Sequence, residues 1–166
     1  FATSPVCAPS RSCLINGLPA SSQGTHHMRS FQKIPEDMTG FPALLRKAGY
    51  YTSNNVKPDY NSALWKTIIK DSWDENSSSA HWRKRPKDKP FFSVFNLMTT
   101  HQSRSMVWKY EDFEKSNQSK LNKSEISEAE EISLPTYYPN TEVVRKTQAR
   151  FYDCVNLMDK QLGELL

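Results

Sequence analysis

The sequence predicts an α/β fold in which a mostly parallel sheet is flanked by helices. Three observations predict it. Apolar residues recur at helical spacing near both ends of the chain, while two strand-length runs, Tyr50-Tyr51-Thr52-Ser53 and Phe91-Phe92-Ser93-Val94-Phe95-Asn96-Leu97, lie between them. Helical and strand patterns therefore alternate, the order that builds layered parallel sheets.

The first element is a short helix over about 9–16. Pro9 suits a first helical position, where its missing N–H would be unpaired anyway, and Gly17 suits the left-handed position just past the end. A polar loop, Ser21-Ser22-Gln23-Gly24-Thr25-His26-His27-Met28-Arg29, separates it from a second helix. Thr39 can cap that helix, which carries Phe41, Leu44, Leu45 and Ala48 and stops at Gly49. After the first strand comes Asn54-Asn55-Val56-Lys57-Pro58-Asp59, the kind of loop on which α/β folds display functional side chains, with Lys57 its exposed candidate.

Beyond about Asn61 the pattern weakens, and residues from about 70 to 90 read as an irregular surface insertion marked by Ser77-Ser78-Ser79 and a basic cluster from His81 to Lys89. The aromatic and β-branched run from Phe91 reads as a buried parallel strand ending in Met98-Thr99-Thr100-His101. A second insertion, about 103–135, is charged and rich in Ser and Glu, and Leu134-Pro135 closes it. From Thr141 to Leu166 the spacing of Val144, Phe151, Val155, Met158, Leu162 and Leu165 predicts one long amphipathic helix with these residues as its core face.

At 166 residues the chain is read as one domain, 1–166. Hydrophobic residues make up 37% and charged ones 24%, an ordinary globular mixture, and 10 Pro against 5 Gly predicts many stiff connections. No apolar run approaches the roughly 20 residues of a membrane span. The net charge of +4 is mild, and without an aromatic-and-basic repeat it points to no nucleic-acid partner. Three cysteines cannot all pair, and they lack zinc-finger spacing, so neither a disulfide scaffold nor a structural zinc site is indicated. The start, Phe1-Ala2-Thr3-Ser4, lacks both an initiator Met and a signal-peptide pattern, and the chain reads as an internal piece of a longer protein whose export signal lies elsewhere.

The densest chemistry lies in Cys7-Ala8-Pro9-Ser10-Arg11, followed by Leu14 and Gly17. A phosphatase-type nucleophile would need Arg six residues after Cys7, where Cys13 stands instead. The motif resembles the signature of the type I, formylglycine-dependent sulfatases of the alkaline phosphatase-like superfamily, Cys-x-Pro-Ser-Arg with an apolar stretch and a closing Gly. The likeness extends through Gly24-Thr25-His26-His27-Met28-Arg29, the segment from Leu44 to Thr52, Lys57, Pro90-Phe91-Phe92 through His101, and Tyr152 with Met158-Asp159, as in polysaccharide- and heparan-directed members.

That resemblance implies a sulfuric ester hydrolase acting on a sulfated carbohydrate, outside the cytoplasm (periplasmic, secreted or lysosomal). It implies that a formylglycine-generating or anaerobic sulfatase-maturating enzyme oxidises Cys7 to formylglycine, whose hydrate attacks sulfur through one hydroxyl and releases sulfate through the other. Arg11 would hold the diol and oxyanion, Lys57 would contact the sulfate, and His101 would protonate the leaving oxygen. Ser10, His26, His27 and Asp59 are the candidate substrate contacts; adjacent side chains such as His26 and His27 rarely converge on one metal ion. The family's calcium would take the Cys7-derived oxygen as a ligand, its other ligands being expected before Phe1 and beyond Leu166. Two departures stand out: Asp59 occupies a position where many members carry a His base, and Asn16 one usually held by Thr. The first keeps open a non-catalytic, glycan-binding or fragmentary relative; a phosphate or phosphonate ester hydrolase of the same architecture is a further alternative.

Overall fold

The computed structural model describes residues 4–166, which fall into two compact units, one running to Asn96 and the other from Leu97 to Leu166. In the first unit, helix α1 (Cys7–Asn16) begins two residues before the sequence-predicted start. Val6 supplies the extended residue before it, and Pro9 sits third in the helix, still within the first turn, where backbone N–H groups have no helical partner. Gly17 closes the helix at φ 70°, its N–H returning to Cys13 O. A single turn, α2 (Ala20–Gln23), follows.

Helix α3 (Phe41–Lys47) is preceded by Gly40, and Thr39 does not cap it. Packing explains the choice: a Cβ on Gly40 would stand 2.6 Å from Ser72 Oγ and 2.7 Å from Ile15 Cγ1, so only glycine lets three chain segments meet there. Leu44, predicted to face the core, is 61% exposed, and Phe41 instead meets Phe92 edge-on at 5.2 Å.

Three parallel strands form the sheet in the order β2-β1-β3. Strand β1 (Tyr51–Asn55) is central, with Tyr51 opposite Phe91 and Asn55 opposite Phe95 of β3 (Phe91–Phe95). The predicted insertion at 70–90 contributes its own regular structure. Helix α4 (Trp65–Ser72) ends inside it and leads to β2 (Glu75–Asn76), a two-residue strand too short to announce itself by alternation. β3 was expected to be buried; as an edge strand it leaves Phe91 42% exposed and its other residues half-buried. Ile15, Ile34, Tyr60, Ile68 and Trp73 form the core of this unit, with Phe92 and Val94 of β3 against it.

The second unit is helical. The stretch expected as a charged surface insertion holds α5 (Gln102–Met106), α6 (Tyr110–Ser116) and several single 3-10 turns, and Phe113 is fully buried. Helix α7 (Glu142–Leu165) has the predicted extent, with Thr141 Oγ1 accepting from Val144 N. Its buried face is Ala149, Asp153, Cys154 and Leu157, rotated from the predicted stripe, while Phe151 and Leu162 are exposed. The rotation follows from a polar residue that hydropathy counts against burial: Asp153 accepts from Ser127 N and Gln118 Nε2, each at 2.8 Å, which lets it be buried. Among the described residues no helix is long and apolar enough to cross a membrane.

Candidate active site

Cys7 and Arg11 are four residues apart on α1, hence one above the other on a single helix face. Cys7 is a half-buried free thiol in the first turn, whereas Cys13 and Cys154 are free and buried. Arg11 turns its guanidinium to the loop after β1. Its Nε donates to Pro58 O at 2.8 Å, and its Nη2 donates both to Lys57 O and to Asn96 Oδ1, the latter at 2.7 Å. Three acceptors therefore fix the planar fork and leave Nη1 for another partner. Burial lowers the pKa of Arg11 from its ordinary value, opposed by the negative potential of Tyr60, Asp59 and Cys7; a guanidinium remains charged throughout the physiological range.

Asn96 was missed as a site residue because it reads as the tail of an apolar strand. Its Nδ2 donates to Asn54 Oδ1 at 3.0 Å and Asn55 O at 2.9 Å, and Asn54 Nδ2 donates onward to Asn76 Oδ1 at 2.6 Å. Asn54, at the centre of the sheet, is fully buried and thereby satisfied at both ends of its amide. The sequence signal that could have found this network is three asparagines at the ends of three adjacent strands, which only the strand register turns into contacts.

Lys57 lies in the loop that Arg11 clamps, with its side chain half-buried. Asp59 pairs with Arg29 at 3.1 Å, the carboxylate side chain 17% and the guanidinium 53% exposed. Tyr60 is buried and accepts from Trp73 Nε1 at 2.9 Å; burial pushes its hydroxyl pKa up to about 12 against the opposing pull of Trp73 and Arg11. Asn61, also unforeseen, donates to Thr25 O and His27 O at 2.7 and 2.6 Å and accepts from Ser30 N at 2.9 Å. It thereby pins the loop that carries His26 and His27, two exposed rings with centroids 4.3 Å apart. Ser10 is half-buried in α1, its N–H committed to Val6 O.

A cleft of about 260 Å³ opens beside this loop, lined by Arg29, Phe31, Pro58, Asp59, Tyr60, Asn61 and Trp65. The first unit thus assembles Cys7, Arg11, the 57–61 loop and Asn96. His101 belongs to the second unit, where it precedes α5 and its Nδ1 accepts from Ser103 N while meeting Ser103 Oγ at 2.8 Å. With Nδ1 an acceptor, the neutral ring carries its proton on Nε2.

Among the described residues no group of three or more His, Cys, Asp and Glu side chains converges on one point. Calcium takes six to eight oxygen ligands, so the donors among the described residues do not by themselves make up a calcium shell.

The sulfatase family model matches residues 1–166. The chain is 33% identical, over an alignment of 202 residues, to the ulvan-active sulfatase of Formosa agariphila; the match covers all of this chain and 33% of that protein. The chain therefore spans about a third of the length of this relative.

Proposed function

We propose, on the premise that this chain belongs to the sulfatase family, that the protein containing it is a sulfatase that hydrolyses a sulfuric ester of a carbohydrate at a centre built on Cys7. The observation that carries the reading is the three-point seating of Arg11, which holds the Cys7 face of α1 against the Lys57 loop. The half-buried thiol in a helix's first turn suits oxidation to formylglycine by a maturating enzyme. Once in place, that group supplies a geminal diol, one hydroxyl to attack sulfur and one to release sulfate as the carbonyl re-forms.

The remaining work falls to side chains of this chain. The N-terminal end of α1 carries partial positive charge and N–H groups without helical partners, which favour an anion beside Cys7. Arg11 keeps Nη1 for a sulfate oxygen because its other donors are already engaged. Lys57 adds a second cation from the loop that Arg11 holds. By its resemblance to the family residue, His101 as an imidazolium gives its Nε2 proton to the leaving oxygen and becomes the neutral ring, while Nδ1 stays with Ser103. Asp59 orients Arg29 through their ion pair and, with Ser10, His26 and His27, contacts the substrate. Calcium is assigned to the whole protein, with a Cys7-derived oxygen as this chain's contribution. The ulvan activity in the relative's description supports a carbohydrate substrate; an extracytoplasmic setting is what the family resemblance implies.

Mass spectrometry of the Cys7 peptide from full-length protein, co-expressed with a formylglycine-generating enzyme, tests the reading together with sulfate release. The expected result is replacement of the thiol by an aldehyde and loss of turnover in C7A. An unmodified thiol with no sulfate released rejects it.

A further inference from the structure

We propose that the cleft lined by Arg29, Phe31, Asp59 and Trp65 is a saccharide subsite that takes one pyranose ring of the substrate. The proposal deepens the hydrolase reading and rests on it for the ester, but the cleft's chemistry stands by itself. Two aromatic side chains that belong to no core cluster line it, Phe31 at 54% and Trp65 at 36% exposure. Beside them lies the Arg29–Asp59 ion pair at 3.1 Å. A pyranose has both complements: a C–H face to lay on an aromatic ring, and hydroxyls that donate to a carboxylate and accept from a guanidinium. The volume of about 260 Å³ lies just below the roughly 300–1,000 Å³ of drug-sized sites, which suits a single ring over a long chain segment.

Backbone conformation marks the same place. Five non-glycine residues among those described have positive φ, and four of them line this cleft: Arg29 (49°), Phe31 (48°), Asp59 (48°) and Asn61 (53°). Left-handed backbone is unfavourable for side-chain-bearing residues and gathers where surrounding structure over-determines it, as in binding clamps. Here the over-determination is visible: Asn61 uses both amide hydrogens and its oxygen to hold Thr25, His27 and Ser30, and Asp59 is locked to Arg29. The ligand-facing groups are thus set before a ligand arrives. The wall also continues to the chemistry, because Pro58, which lines the cleft, gives its carbonyl to Arg11.

Full-length, matured protein tests this with W65A, W65F and F31A. Relative to 4-nitrophenyl sulfate, which has no sugar, W65A and F31A are expected to raise KM for sulfated disaccharides of xylose, rhamnose, galactose or glucuronate about tenfold more, with W65F restoring most of the loss. Equal effects on both substrates, or an unmoved disaccharide KM, overturn the proposal. Saturation-transfer NMR with the unsulfated disaccharides needs no turnover. Signals from the wild type that vanish in W65A and F31A support the subsite even if no ester is hydrolysed, and silence from every disaccharide with the wild type overturns it.

Discussion

Arg11 Nη2 donates to Asn96 Oδ1 at 2.7 Å, joining the first helix to the residue that follows β3 across 85 positions of sequence. The same guanidinium grips the Lys57 and Pro58 carbonyls, so one side chain unites the Cys7 helix, the loop after the central strand and the end of the edge strand.

Asn96 is therefore a structural keystone that can be probed separately from Arg11. N96A removes an acceptor from a charged donor and two donors from the sheet, and is expected to cost about 2–3 kcal/mol in urea denaturation. N96D gives Arg11 a charged acceptor and sets a carboxylate oxygen against Asn54 Oδ1 and Asn55 O, so it strengthens the helix side while breaking the sheet side. Midpoints for both variants indistinguishable from wild type would show that the junction carries no load.

Gly40 offers a steric test. A methyl group there meets Ser72 Oγ at 2.6 Å and Ile15 Cγ1 at 2.7 Å, both buried, and G40A is expected to destabilise by about 1–3 kcal/mol with a lowered Tm. A Tm equal to wild type would mean that α1 and α4 yield freely at this point.

Alkaline pH should unfold the protein through Tyr60. Its pKa is raised to about 12 by burial, against about 10 in an unfolded chain, so the folded state retains a proton that the unfolded state gives up. The associated stability is complete below pH about 10 and is lost as pH climbs toward 12. Tyr51, raised to about 12 by burial and by its bond to Glu75, contributes in the same window. Y60F should flatten the alkaline fall in Tm without abolishing it. An unchanged slope in Y60F would remove Tyr60 from the account.

What the sequence made legible was local. Cys7, Pro9, Arg11 and Gly17 lie within a few turns of one another, and both their helix and their motif can be read without knowing what packs against them. Lys57 was placed by sequence on a loop after a strand, and that is the loop Arg11 holds. The Asn96, Asn54 and Asn76 contacts could not be read, because they depend on strand register and on β2, two residues long. Thr39 looked like a cap until crowding by Ile15 and Ser72 placed Gly40 at the helix start. The face of α7 was misjudged for a related reason: Asp153 enters the interior on hydrogen bonds supplied by residues more than twenty positions away, and hydropathy alone scores it as surface.

A primary amide has a giving end and a receiving end, and the chain that starts at the Arg11 cation uses both at Asn96 and again at Asn54 before reaching Asn76. Its polarity is accordingly one-way. An anion seated on Arg11 would dilute the positive field at the head of this file, and the shift would be handed along it. The side-chain amide of Asn76, on the far edge of the sheet, is the receiving end at which this file stops.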